Sequence, residues 1–184
     1  MIPLCVPHPS WSGDSAALSD AAKRGEIFFS SSEHGGCFQC HGGWNFSGGV
    51  RFAGGEVSGR EGGPLTGFFN TGVALYTAPN RGLYEQTQRT EDTGKFRVPT
   101  LRNIAVTAPY MHDGSLETLD AVIEHYAAGG KFDSPNKTRI LHPFTITDGE
   151  KHDLIEFLKS LTDEELLRDP RWSDPWAAGE NQAR

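Results

Sequence analysis

Residues 37–41 read Cys-Phe-Gln-Cys-His. Two thiols flanking two residues, with an imidazole directly after, are a donor set that three chemistries could use. Zinc would take both thiolates, but a structural zinc site wants four ligands, usually from a second close pair. Only Cys5 and scattered histidines could supply the rest here. A thiol–disulfide pair would start a helix inside a strand–helix–strand pattern, and no such alternation is legible. Covalent haem c uses all three groups: two thioethers to the porphyrin vinyls, and the adjacent histidine beneath the iron as proximal ligand. Of the three, only haem explains why His41 must directly follow Cys40.

Such a motif needs helices to hold it. Ser19 reads as an N-cap for a helix to about Phe29, with Ala22, Gly25 and Phe29 on one face. A glycine inside a helix costs roughly 1 kcal/mol against alanine, so Gly25 marks a close crossing by another helix. A short helical turn should carry Cys37 to His41. From Gly42 to about Gln86 the chain is glycine-rich and without sustained period. Residues 98–105, VPTLRNIA, read as an extended lead into a short helix or turn. Thr118 caps a helix to about Ala128 whose apolar face is Leu119, Val122, Ile123 and Tyr126, ended by Gly129-Gly130. Thr147-Asp148-Gly149-Glu150 is a capping box opening a last helix with Leu154, Ile155, Phe157, Leu158 and Leu161 as its stripe. Gly25 and Phe29 against Leu154, Phe157 and Leu158 match the crossing of first and last helices in small c-type cytochromes. The predicted fold is mainly α: an irregular arm over 1–17, a cytochrome c-like haem domain with long Gly-rich loops over 18–168, and a proline-punctuated tail over 169–184.

Composition narrows the partners. The 184 residues carry a formal charge of −7 and no Lys/Arg cluster, so nucleic acid and anionic membranes are poor partners. No apolar run approaches a membrane span, so no membrane insertion is expected. Cys5 is left over if Cys37 and Cys40 serve one site. The N-terminus shows no export signal, yet haem c is attached outside the cytoplasm. The expected compartment is therefore the periplasm, with the signal removed or lying outside this sequence.

The run FRVPTLRNIAVTAPYMHDGSLETLDAVIEHYAAGG over 96–130, with RGEIFFSSSEHGGCFQCHGG and KHDLIEFLKSLTDEELL, resembles the C-terminal haem domain of bacterial dihaem cytochrome c peroxidases and their relative MauG. FFNTGVALY and the SLTDEELLRDPRWSDPW ending are most similar to the methanobactin-biosynthesis branch, whose enzyme oxidises a tryptophan on a partner protein. Family members carry two CxxCH motifs on two haem domains, and this sequence carries one. The resemblance thus implies the electron-transfer, high-valent half of a peroxidase or oxidase. That half would work with a second haem domain or redox partner protein, and the branch implies a protein substrate. The peroxide-binding haem of the family, with its acid/base residue, lies in the other half, so no catalytic residue is assigned.

The resemblance also implies ligands. The family's distal ligand falls at the end of the helix that begins at Thr118, which here is Tyr126, and MauG has tyrosine there. Met111 in APYMHDG is the alternative: chemistry alone favours a neutral thioether for electron transfer, whereas an anionic phenolate stabilises ferric and higher states. His125 lies about 100° around the helix from Tyr126 and would not face the same iron. Arg102 matches a residue that reaches a haem propionate, with a surface salt bridge as the plain alternative. His112 reads as a structural histidine. Thr107 and Pro109 match positions whose carbonyls bind calcium between the two domains. A third ligand comes from the other half, so calcium would be held only together with it. Trp44, Trp172 and Trp176 read as packing residues before electron-hopping stations. Against the enzyme half stands a self-standing monohaem cytochrome c that only relays electrons, and, outside redox chemistry, a zinc-stabilised interaction domain.

Overall fold

A computed structural model describes residues 17–43, 45–48, 67–76 and 79–173. Most of the arm with Cys5, Trp44, much of the glycine-rich segment, and the end of the tail with Trp176 lie outside the described residues. Helix α1 spans Asp20–Ser30, and the Ser19 hydroxyl accepts from the Ala22 amide at 3.1 Å. The five-residue helix α2 is Cys37–His41. Strand β1, Phe68–Phe69, pairs antiparallel with β2, Phe96–Arg97, with Phe68 opposite Arg97. Between them lies α3, Tyr84–Thr87. Helix α4 is Leu119–Ala127, capped by Thr118. Helix α5 is Asp148–Ser160, with both halves of the Thr147–Glu150 capping box in place. Helix α6, Glu164–Arg168, follows, capped by Asp163. Among the described residues, short 3-10 turns also lie at Thr90–Asp92, Ile104–Val106 and Pro170–Trp172.

The architecture is mainly α, built on the crossing of α1 over α5. Gly25 permits it: a Cβ there would strike the Asp153 carbonyl and come within 2.8 Å of the Phe157 Cβ. Arg24 grips the Asp153 carboxylate with both Nε, at 2.6 Å, and Nη2, at 2.8 Å, so the crossing is locked at its rim. Beneath it lies an aromatic knot. Phe157 is 1% exposed, and its ring meets Phe29 at 5.1 Å and Phe46 at 6.0 Å, the latter edge-to-face. Leu119 and Ile123 of α4 close the same core.

Two connections hold the loops to this frame. Asn103, at φ +61°, donates its amide to the Leu161 carbonyl and accepts from the Asp163 amide at 2.7 Å. That ties the Leu-Arg-Asn turn to the end of α5. Asn70, also 1% exposed, ties the β1 exit to the chain after α4. The paired strands and α3 were not anticipated: at two and four residues they are too short to show any period in a sequence.

Candidate haem site

Gly35 and Gly36, at φ +82° and +59°, turn the chain sharply into α2. A side chain at Gly35 would collide with the Phe144 ring, so the turn is packed as well as bent. The helix that results presents Cys37 and Cys40 one turn apart, neither in a disulfide and both half-buried. Burial pushes the Cys37 thiol up to about 11. A thiol–disulfide catalyst needs the opposite, a depressed pKa and a ready thiolate. Among the described residues no three His, Cys, Asp or Glu side chains converge as a metal-binding group, so no zinc donor set is assembled there.

His41 is the last residue of α2, and its Nδ1 lies 3.2 Å from the Phe46 carbonyl oxygen. A carbonyl only accepts, so Nδ1 carries the proton and Nε2 keeps its lone pair. Phe46 reaches this position with φ +48°, a left-handed backbone that aims its carbonyl back at the ring. Burial lowers the pKa of His41 below its ordinary value, opposed by the Phe46 and Pro99 carbonyls. The ring is therefore a neutral, oriented nitrogen donor, the form a metal takes.

Tyr126 arrives from α4. Its phenol is pushed up to about 12, first by burial and then by the nearby Cys40 and Cys37 thiols, with a hydrogen bond from Thr71 opposing. Helix α4 thus brings its phenol toward the two thiols of α2. Cys37, His41 and Tyr126 are all deeply set, yet each keeps accessible surface.

The Arg102 guanidinium lies 5.8 Å from the Phe46 ring centroid, on the residue whose carbonyl holds His41. Met111 is half-buried at φ +72°, in the turn closed by the pairing of Tyr110 with Leu116. Its neighbour His112 stacks on Phe96 at 3.7 Å, a packing role. The His125 Nε2 donates to the Thr71 carbonyl at 2.9 Å. Thr107 and Pro109 are exposed, and the Thr107 hydroxyl donates to the Ile104 carbonyl at 3.2 Å. Trp172 is exposed in the last 3-10 turn. Sequence reasoning missed Phe46, which carries no motif and acts through a loop contact.

Two thiols one turn apart, a lone-pair imidazole beside them and a phenol from another helix fit a covalently held iron porphyrin, with Arg102 at hand for an anionic edge. Set beneath a glycine-mediated helix crossing, this is the architecture of a cytochrome c-like haem domain. The comparisons agree. The chain is 35% identical over 211 residues to cytochrome-c peroxidase IdrP1 of Denitromonas iodatirespirans, covering 96% of this chain and 49% of that protein. It is 31% identical over 157 residues to the methylamine utilization protein MauG of Methylorubrum extorquens, covering 85% and 39%. A crystal structure of a MauG-like protein associated with microbial copper homeostasis superposes with a TM-score of 0.78 at 37% identity, covering 94% of this chain and 56% of that one. No protein-family model matches. The chain belongs to the cytochrome c peroxidase and MauG family of c-type haem redox proteins, and spans about half the length of the curated relatives it matches.

Proposed function

We propose that this chain is a single-haem c domain of a MauG-like peroxidase or oxidase, with Cys37 and Cys40 as thioether donors, His41 as proximal ligand and Tyr126 as distal ligand. The observation that carries it is the approach of the Tyr126 phenol to the two thiols of α2, while His41 presents Nε2. Haem supplies one-electron chemistry when bound. The chain's own part would be to hold it: Cys37 and Cys40 would anchor it covalently, His41 and Tyr126 would offer ligands to its iron, and Arg102 would balance a propionate. An anionic oxygen ligand favours oxidised iron over reduced iron, which suits a domain that stores oxidising equivalents better than a plain carrier.

On this reading the domain works with a second haem from another segment or chain, and a protein substrate fits the branch implied by FFNTGVALY. Thr107 and Pro109 would lend carbonyls to a calcium only at the junction with that second domain. The periplasm is the compartment that haem c attachment requires, and no helix among the described residues is long and apolar enough to cross a membrane. Expression with a c-type maturation system, followed by haem staining of the denatured chain and its intact mass, tests the reading. One covalent haem per chain is expected. A haem-free chain that folds and holds zinc would overturn it.

A further inference from the structure

The turn at 45–48 carries the Phe46 carbonyl that holds His41, and it is fastened on both sides of that carbonyl. Ahead of Phe46, the Thr100 hydroxyl donates to the Asn45 carbonyl at 2.6 Å and lies 3.3 Å from the Asn45 side-chain oxygen. The same hydroxyl accepts from the Arg102 amide at 3.2 Å. Behind Phe46, the buried Ser47 hydroxyl donates to the Val98 carbonyl at 2.8 Å. Asn45 and Ser47 are thus each held to the 98–100 segment, 55 and 51 positions away. The turn also folds back on α2: the Gly48 amide donates to the Cys40 carbonyl at 2.7 Å, and a Cβ at Gly48 would lie 2.6 Å from that oxygen. Phe46 itself sits at φ +48°. A non-glycine residue stays in the left-handed region only where its surroundings over-determine it, and here the two hydroxyl bonds do so.

We propose that Ser47 and Thr100 are positioning residues for His41: their hydroxyls pin the 45–48 turn to the 98–100 segment and so keep the Phe46 carbonyl on the Nδ1–H. The proposal rests on His41 being the proximal haem ligand. An acceptor on Nδ1–H fixes the ring's orientation and raises its basicity, so Nε2 gives more to ferric iron. With a pin removed, Phe46 can relax toward ordinary backbone angles and its carbonyl leaves the ring. The imidazole then becomes the poorer donor, and the ferric state loses stabilisation.

The test uses the haem-loaded full chain with Ser47→Ala, Thr100→Val and Thr100→Ser, alongside His41→Gly. Midpoint potential and the ferric electron paramagnetic resonance spectrum are read in each. Ser47→Ala and Thr100→Val are expected to shift the potential upward and to move the g values, while Thr100→Ser, which keeps the hydroxyl, matches the parent. Should Ser47→Ala not fold, the valine and serine pair at Thr100 decides alone. If His41→Gly changes the spectrum but Ser47→Ala and Thr100→Val keep the parent's potential, whatever their melting temperatures, the hydroxyls are structural only and this proposal falls by itself. A Thr100→Ser shift as large as that of Thr100→Val would also overturn it, because the hydroxyl would not be the cause. If His41→Gly leaves the spectrum unchanged, the proximal-ligand reading fails and takes this proposal with it.

Discussion

The carbonyl oxygen of Phe46 lies 3.2 Å from Nδ1 of His41, and that contact decides which ring nitrogen is left to bind. Phe46 belongs at once to the aromatic knot under the helix crossing and to this contact. Core packing therefore sets the direction of Nε2. On the proposed reading, His41→Gly should leave both thioethers intact and open the proximal position. Added imidazole should then restore a low-spin optical spectrum, which a titration would follow. An unchanged spectrum in His41→Gly would mean another residue holds the iron.

Cys37→Ala with Cys40→Ala should abolish covalent haem and largely unfold the domain. On the proposed reading the domain would lose a large apolar group anchored on α2, and a domain of this size has little core to spare. Haem staining and far-ultraviolet circular dichroism read both effects. A well-folded helical double variant would contradict the prediction.

Gly25→Ala should destabilise the fold by about 3 kcal/mol, because its Cβ would collide with the Asp153 carbonyl and crowd Phe157, and a backbone contact has little room to relax. Thermal melting would show the loss. A neutral outcome would mean that α1 and α5 do not cross at this residue.

Asp92 predicts a pH dependence. The residue is 4% exposed, accepting from the Thr87 hydroxyl at 2.9 Å and from Lys95 Nζ at 3.1 Å. Burial raises its pKa, but those hydrogen bonds with the Lys95 and Arg89 charges outweigh it, and the net shift is downward. A depressed folded pKa contributes stability that is present above the ordinary aspartate value, about 3.9, and lost as pH falls through the folded value. Asp92→Asn should cost about 1–3 kcal/mol at neutral pH and flatten the acid limb of the melting curve. A parallel acid limb in the variant would show that other carboxylates control it.

Local signals carried most of the fold. Ser19, Thr118 and the Thr147–Glu150 pair announce their helices because capping is a contact across three residues. Gly25 was legible because a glycine in a helix has a cost that only a close neighbour explains. The CxxCH turn and the apolar face ending in Tyr126 were legible for the same local reason. What stayed hidden spans long separations: Thr71 and His125 are 54 residues apart, and Asn103 and Asp163 are 60 apart. No periodicity encodes such pairs. Asn70 reads as an ordinary turn residue until its burial is seen. Phe46 looks like any core aromatic, and its carbonyl, the part that acts on His41, leaves no trace in a sequence at all.

The distal ligand is tested most directly by the ferric visible and electron paramagnetic resonance spectra of the haem-loaded chain with Tyr126→Phe beside Met111→Leu. The Cys40 and Cys37 thiols add to the burial that raises the Tyr126 phenol, whereas Met111 sits in the Tyr110–Leu116 turn and changes little in volume as leucine. The expected result is loss of the phenolate charge-transfer band and a changed spin state in Tyr126→Phe, with Met111→Leu matching the parent. Conversion to high spin in Met111→Leu, with Tyr126→Phe unaltered, would contradict the assignment and make the chain a His41/Met111 electron carrier.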